Sequence, residues 1–224
     1  TRQRILKRIE RMEDKGSEVI ALSADVGSDA DIEGVATLIE SRFGKLDGII
    51  HAAGITQREF IFNLLGESTE SVTEDVFYPK VSGTLALESL AKRFNPAFCL
   101  LISSNAATLG GIGIGAYSAA SCWLDGYAQA KKTCVSDYPF ETDDGLEKNS
   151  VRWISSNWDG WPTEETTGLE SEFKTSIDRY KMTVSESERA FETVLASGVS
   201  QVVVSAGGLD DRLRHLEGLS TVDN

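Results

Sequence analysis

The stretch Phe98-Cys99-Leu100-Leu101-Ile102-Ser103-Ser104, followed after a glycine-rich passage by Ala116-Tyr117-Ser118-Ala119-Ala120-Ser121, decides how this chain folds. Its first half is a short unbroken apolar run, the pattern of a strand buried on both faces. Its second half opens a helical pattern over 116–132. A strand closing on Ser104 and a helix opening at Tyr117 aim two hydroxyls at one point. Lys80 lies 24 residues before Ser104, and Ser104 lies 13 before Tyr117.

Outward from this core, short apolar runs alternate with helical patterns. Strands are predicted over 18–24, 46–51, 98–103, 151–156 and 201–205. Between the first two, Ile32, Val35, Ile39 and Phe43 recur at helical spacing over 29–42, with Ser28 as cap and Gly44 as stop. A long helix is predicted over 70–94. A last one starts at a capping box, Ser185 to Glu188, and stops at Gly198. The alternation predicts an α/β fold with a parallel sheet covered on both faces.

The chain has 224 residues and a net charge of −13, which fits one domain and argues against a nucleic-acid partner, whose footprint needs clustered Lys and Arg. Arg2, Arg4, Lys7, Arg8 and Arg11 are read as the solvated face of an amphipathic helix ending near Gly16. Cys99, Cys122 and Cys134 sit in or beside apolar segments without CxxC spacing, the expectation being reduced thiols, no metal and a cytoplasmic location. No stretch has the length of a membrane span. Residues 133–150 are acidic but lack the ligand spacing of a calcium loop and read as a solvated insertion. Residues 160–182, polar and poor in strand signals, are expected to form a lid.

Two convergent hydroxyls can grip a carbonyl oxygen. As hydride reaches the carbonyl carbon, that oxygen becomes an alkoxide, which needs a hydrogen-bond donor and an acid. Ser104 suits the first role and Tyr117 the second. A phenol titrates near pH 10, so a nearby cation is needed to tune it, and Lys80 is the candidate.

The ordered motifs resemble the ketoreductase domain of modular type I polyketide synthases, within the short-chain dehydrogenase/reductase superfamily. Ala24-Asp25-Val26 is similar to the family's segment after its third strand, and His51-Ala52-Ala53-Gly54 to its turn beside the cofactor. Pro79 to Thr84 resembles the lysine helix, Leu101 to Ser104 the serine strand, and Tyr117 to Ser121 with Leu124-Asp125 the tyrosine motif. Asn157-Trp158-Asp159-Gly160-Trp161 and Gln201 to Ser205 are similar to the segment near the nicotinamide and to the final strand. The resemblance implies a Rossmann-like doubly wound sheet, with Tyr117, Ser104, Lys80 and Ser121 as the catalytic set. It implies Asp25, Val26, Ala52, Ala53, Gly54, Asn157 and Trp158 as cofactor contacts. NADPH is the implied hydride donor. The implied substrate is a β-ketoacyl group tethered through phosphopantetheine to an acyl carrier protein, with other synthase domains as neighbours.

The chain departs from that pattern in three places. Ser121 stands where the family has asparagine. The glycine-rich phosphate loop and its βαβ unit are expected to precede residue 1, because strand order 3-2-1-4-5-6-7 puts two strands between 18–24 and 46–51, a gap of roughly 14 Å at about 4.8 Å per strand. That gap is expected to be filled by preceding sequence, or the flanking strands to have re-paired. Gly111 to Ala116 is read as the floor of a substrate channel rather than a phosphate cradle. Thr56-Gln57-Arg58 and Leu109 replace the motifs tied to product handedness, so neither handedness is implied. The expected layout is a reductase domain over 1–209 and the start of a linker over 210–224. Alternatives are a catalytically silent scaffold, a free-standing reductase, or α-ketoacyl reduction in a peptide synthetase.

Overall fold

The computed structural model of the protein describes residues 2–55, 70–111, 113–136, 151–161 and 180–220. Strands β1 (Gly48–His51), β2 (Phe98–Ser104), β3 (Arg152–Trp158) and β4 (Gln201–Val204) form one parallel sheet in the order β1-β2-β3-β4. The helices are α1 (Arg2–Glu13), α2 (Asp29–Arg42), α3 (Glu70–Phe94), the short α4 (Ala106–Leu109), α5 (Gly115–Ser136), α6 (Val184–Ala196) and α7 (Leu209–Ser220).

Alternation along β2 explains the two-faced packing. Cys99 and Leu101 join Leu124, Ala128 and Trp153 in a core shared with α2, α3 and α5. Leu100, one residue out of phase, joins Ile154, Trp158 and Val194 on the face covered by α6. Each fully buried leucine contributes about 1.5–3 kcal/mol relative to exposure. The expected α/β architecture with a parallel sheet is the one observed.

α2 starts at Ser28, whose hydroxyl accepts from the Asp31 amide, and Gly44 ends it at φ 72°. Phe43, expected on its buried face, is instead the exposed C-cap. The strand expected over 18–24 is not formed. Ile20 and Leu22 are 40% and 52% exposed, and among the described residues nothing pairs with the outer edge of β1. A strand is held by its ladder, and an extended segment without a neighbour leaves its amides to water.

The pattern Thr/Ser-x-x-Glu occurs twice at the start of α6, and the earlier copy caps it. Thr183 accepts from the Glu186 amide at 3.3 Å, while Glu186 accepts from the Thr183 amide at 2.7 Å, so the expected Ser185–Glu188 box lies inside the helix. Residues 210–224, expected to open a linker, begin with the helical turns of α7. Arg212 ties these to Asp159 at 2.9 Å. Most of the acidic insertion and of the expected lid, and Thr56-Gln57-Arg58, lie outside the described residues. Among the described residues no helix is long and apolar enough to cross a membrane, and no cluster of His, Cys, Asp or Glu is arranged to hold a metal.

Candidate functional site

The carboxyl ends of β1, β2 and β3 lie side by side, with His51 opposite Leu101 and Ser104 opposite Trp158. Ser104 closes β2. Its hydroxyl accepts from the Ala106 amide at 3.2 Å, which fixes the turn into α4. Gly110 and Gly113 then adopt φ 63° and 77°, and the chain reverses to start α5 two residues before Tyr117. This reversal brings the Tyr117 phenol near enough to the Ser104 hydroxyl for the two to interact. The two hydroxyls that the sequence aims at one point lie within interaction range of each other.

Burial pushes the Tyr117 phenol above its ordinary pKa, and the Ser104 hydrogen bond opposes that shift. The phenol therefore holds its proton at neutral pH. Lys80 approaches from α3. It is only 4% exposed, donates to the Ile102 carbonyl at 3.2 Å, and carries its ammonium 5.4 Å from the centre of the Tyr117 ring. Burial lowers its pKa to about 8, and the charge of Asp125 acts in the opposite sense. A single acceptor among the described residues, set against three N–H donors, leaves this ammonium with hydrogen-bonding capacity to spare.

The lysine helix reaches the sheet because Gly83 lets it. A Cβ there would stand 2.9 Å from Val26 Cγ1 and 3.1 Å from His51 Cε1. His51 is buried against the backbone of Pro79 and Lys80. Burial first, and the Lys80 charge second, lower its pKa, and its Nε2 has no partner among the described residues. The turn Ala52 to Gly54 follows, and the Lys80 stem lies 3.8 Å from the position of a Gly54 Cβ.

Asp25 is exposed, and its carboxylate accepts from the Gly27 amide at 2.9 Å and the Tyr78 hydroxyl at 3.2 Å. Val26 is half-buried behind it. Ser121, one turn after Tyr117, is fully buried. Its carbonyl accepts from Ser103 Oγ at 3.1 Å, while its own hydroxyl has no partner among the described residues. Asn157 is fully buried, with Nδ2 engaged by Asp125, Ser103 and Ser104. The Trp158 indole donates to Ser156 Oγ at 2.7 Å and packs edge-on against Trp161. On β3, then, the Asn157 amide and the Trp158 indole are both engaged inside the protein.

Asp125 stands in the tyrosine motif, and sequence reasoning gave it no task of its own. The available signal was a charged residue two turns from Tyr117 between Leu124 and Ala128, on a face that the pattern makes core.

A family model described as the KR domain matches residues 1–135. The chain is 31% identical over 207 residues to the polyketide synthase PksM of Bacillus subtilis (strain 168), a match over 90% of this chain and 4% of that protein. It is 25% identical over 216 residues to the polyketide synthase PksL of the same organism, a match over 95% of this chain and 4% of that protein. The chain thus spans a small part of the length of these curated relatives. A crystal structure of a ketoreductase domain from the bacillaene assembly line superposes with TM-score 0.75 at 25% identity, over 94% of this chain and 48% of that one.

Proposed function

The chain belongs to the KR domain family, the ketoreductase domains of polyketide synthases, and from that premise we propose that it reduces a β-ketoacyl group to a β-hydroxyacyl group with NADPH. The acyl chain is carried on the phosphopantetheine arm of an acyl carrier protein, within a larger synthase. The observation that carries this reading is the Lys80 ammonium 5.4 Å from the centre of the Tyr117 ring at the carboxyl edge of the sheet, with the Ser104 hydroxyl near the phenol.

The residues present fit a nicotinamide nucleotide. Lys80 is a buried ammonium with donors to spare, beside the turn of Ala52, Ala53 and Gly54. Such donors suit the hydroxyls of a ribose. The nucleotide would be held by this turn, by Asp25 and Val26 toward its adenine end, and by the main chain of Asn157 and Trp158. When bound, the reduced nicotinamide supplies hydride to the carbonyl carbon.

The protein's own groups handle the oxygen. Ser104 donates to the carbonyl oxygen as negative charge develops there, and Tyr117 delivers its proton to that oxygen. Lys80 stabilises the resulting phenolate, which must regain its proton from solvent, and Ser121, one helical turn along, is the hydroxyl proposed to relay it toward Tyr117. A carrier arm raises the effective concentration of the ketone at this site without adding contacts.

In the full-length protein, NADPH consumption with a β-ketoacyl thioester is expected to fall at least roughly a hundredfold in Tyr117→Phe, the range of a lost general acid. Equal rates would remove Tyr117 from the mechanism. A catalytically silent scaffold is the second reading, favoured by the Ser121 hydroxyl that lacks a partner among the described residues. Under it, wild type consumes no NADPH.

A further inference from the structure

Behind Ser104 lies a buried polar cluster centred on a carboxylate. Asp125 follows Tyr117 by two turns of α5, with Ser121 between them, so the three share one helix face. It is 7% exposed. Its oxygens accept from Ser155 Oγ at 2.5 Å, Asn157 Nδ2 at 2.7 Å and Gln201 Nε2 at 2.9 Å. The same Asn157 amide also donates to the Ser104 carbonyl at 3.1 Å and to Ser103 Oγ at 3.3 Å. Ser103 Oγ in turn donates to the Ser121 carbonyl.

The circuit therefore leaves α5 at Asp125, crosses β3 at Asn157, grips the last residue of β2 and returns to α5 at Ser121. Both hydroxyls of the site sit on backbone that this circuit holds. No cation is hydrogen-bonded to Asp125 among the described residues. A carboxylate in such a position is costly, and a well-packed apolar group often serves stability as well or better. Its use must lie elsewhere. The charged and titratable groups that act on Lys80 are the Tyr117 ring beside its ammonium, His51 at the end of β1 and, through its charge, Asp125 on α5. Asp125 is the anion among them.

We propose that Asp125 is a positioning residue of this site: through Asn157 it fixes the Ser104 carbonyl, and with it the serine hydroxyl on the Tyr117 side. This inference rests on the reductase reading of the same site, and its test is built to separate the two.

The experiment compares the full-length wild type with Asp125→Asn, which keeps size and removes charge. It records kcat and KM for the β-ketoacyl thioester, and the Ser104 amide resonance by NMR of serine-labelled protein, assigned with Ser104→Ala. The expected result is a kcat at least about tenfold lower at unchanged KM, with the Ser104 amide resonance moved. Asp125→Glu, which restores the carboxylate, is expected to recover kcat in part. If Asp125→Asn does not fold, Asn157→Ala cuts the link to Ser104 and must lower kcat at unchanged KM. An active wild type whose Asp125→Asn variant keeps its kcat overturns the proposal. A silent wild type removes the reductase reading, and the positioning role then stands if Asp125→Asn still moves the Ser104 amide resonance and falls if that resonance stays in place.

Discussion

The Lys80 ammonium stands 5.4 Å from the centre of the Tyr117 ring while its stem runs beside the Gly54 turn, so one cation touches both halves of the site. Its pKa, lowered by burial from 10.5 to about 8, sets a pH window. Below about 8 the folded protein carries the ammonium, and above it the charge is lost. Reduction is therefore expected to decline as pH rises through about 8, read as kcat against pH. Stability moves the other way. Between about 8 and 10.5 the unfolded chain binds more protons than the folded one, so this group's contribution rises with pH. Melting temperatures of wild type and Lys80→Met at about pH 7.5 and about pH 10 isolate the effect: wild type should gain relative to the variant at the higher pH. A constant difference between the two would reject the shifted lysine.

Ser121 offers a test in which stability and activity part company. Its hydroxyl is buried without a partner among the described residues, and removing an unsatisfied polar group is neutral to stabilising by about 1–3 kcal/mol. Ser121→Ala should leave the thermal midpoint unchanged or higher. If the hydroxyl passes protons toward Tyr117, the same variant should reduce ketone about tenfold more slowly. An unaltered rate would assign Ser121 to packing.

The fit of α3 against β1 hinges on Gly83. A methyl there meets Val26 Cγ1 at 2.9 Å and His51 Cε1 at 3.1 Å, neither being the far end of a flexible chain. Gly83→Ala is expected to cost about 1–3 kcal/mol through overpacking. It should also lower kcat, since Lys80 lies one turn earlier on the same helix. Chemical denaturation and kinetics on one preparation check both. A midpoint at or above the wild-type value would contradict the close approach.

How far the sequence revealed this site follows from where each constraint is encoded. Ser104 and Tyr117 were legible because a closing strand and an opening helix are local patterns, and their separation is a short loop whose glycines announce the reversal. Ser28 and Gly44 were legible for the same reason. Residues 18–24 misled because a strand needs a neighbour, and apolar alternation says nothing about whether one stands alongside. Asp125, Asn157 and Gln201 come from three separate elements, and only packing brings the two amides within 2.7 and 2.9 Å of the carboxylate. The helix at Leu209–Ser220 was missed because its mixed charges hide a residue that anchors it, Arg212.

That anchor carries the last prediction. Arg212 donates to both oxygens of Asp159 at 2.9 Å and to Ser205 Oγ at 2.9 Å, with its guanidinium 4.1 Å from the centre of the Tyr180 ring. Asp159 also accepts from the Ala206 amide at 2.9 Å. The pair is almost wholly enclosed, so removing one partner strands a buried charge and should cost about 3–5 kcal/mol. Arg212→Ala is expected to show that loss in urea unfolding, and Arg212→Ala with Asp159→Asn should recover part of it, since the stranded charge is then gone. Because Asp159 directly follows β3, the single variant should also loosen the strand end that bears Asn157 and Trp158, raising KM for NADPH. Additive losses in the double variant would mean that the two side chains act independently.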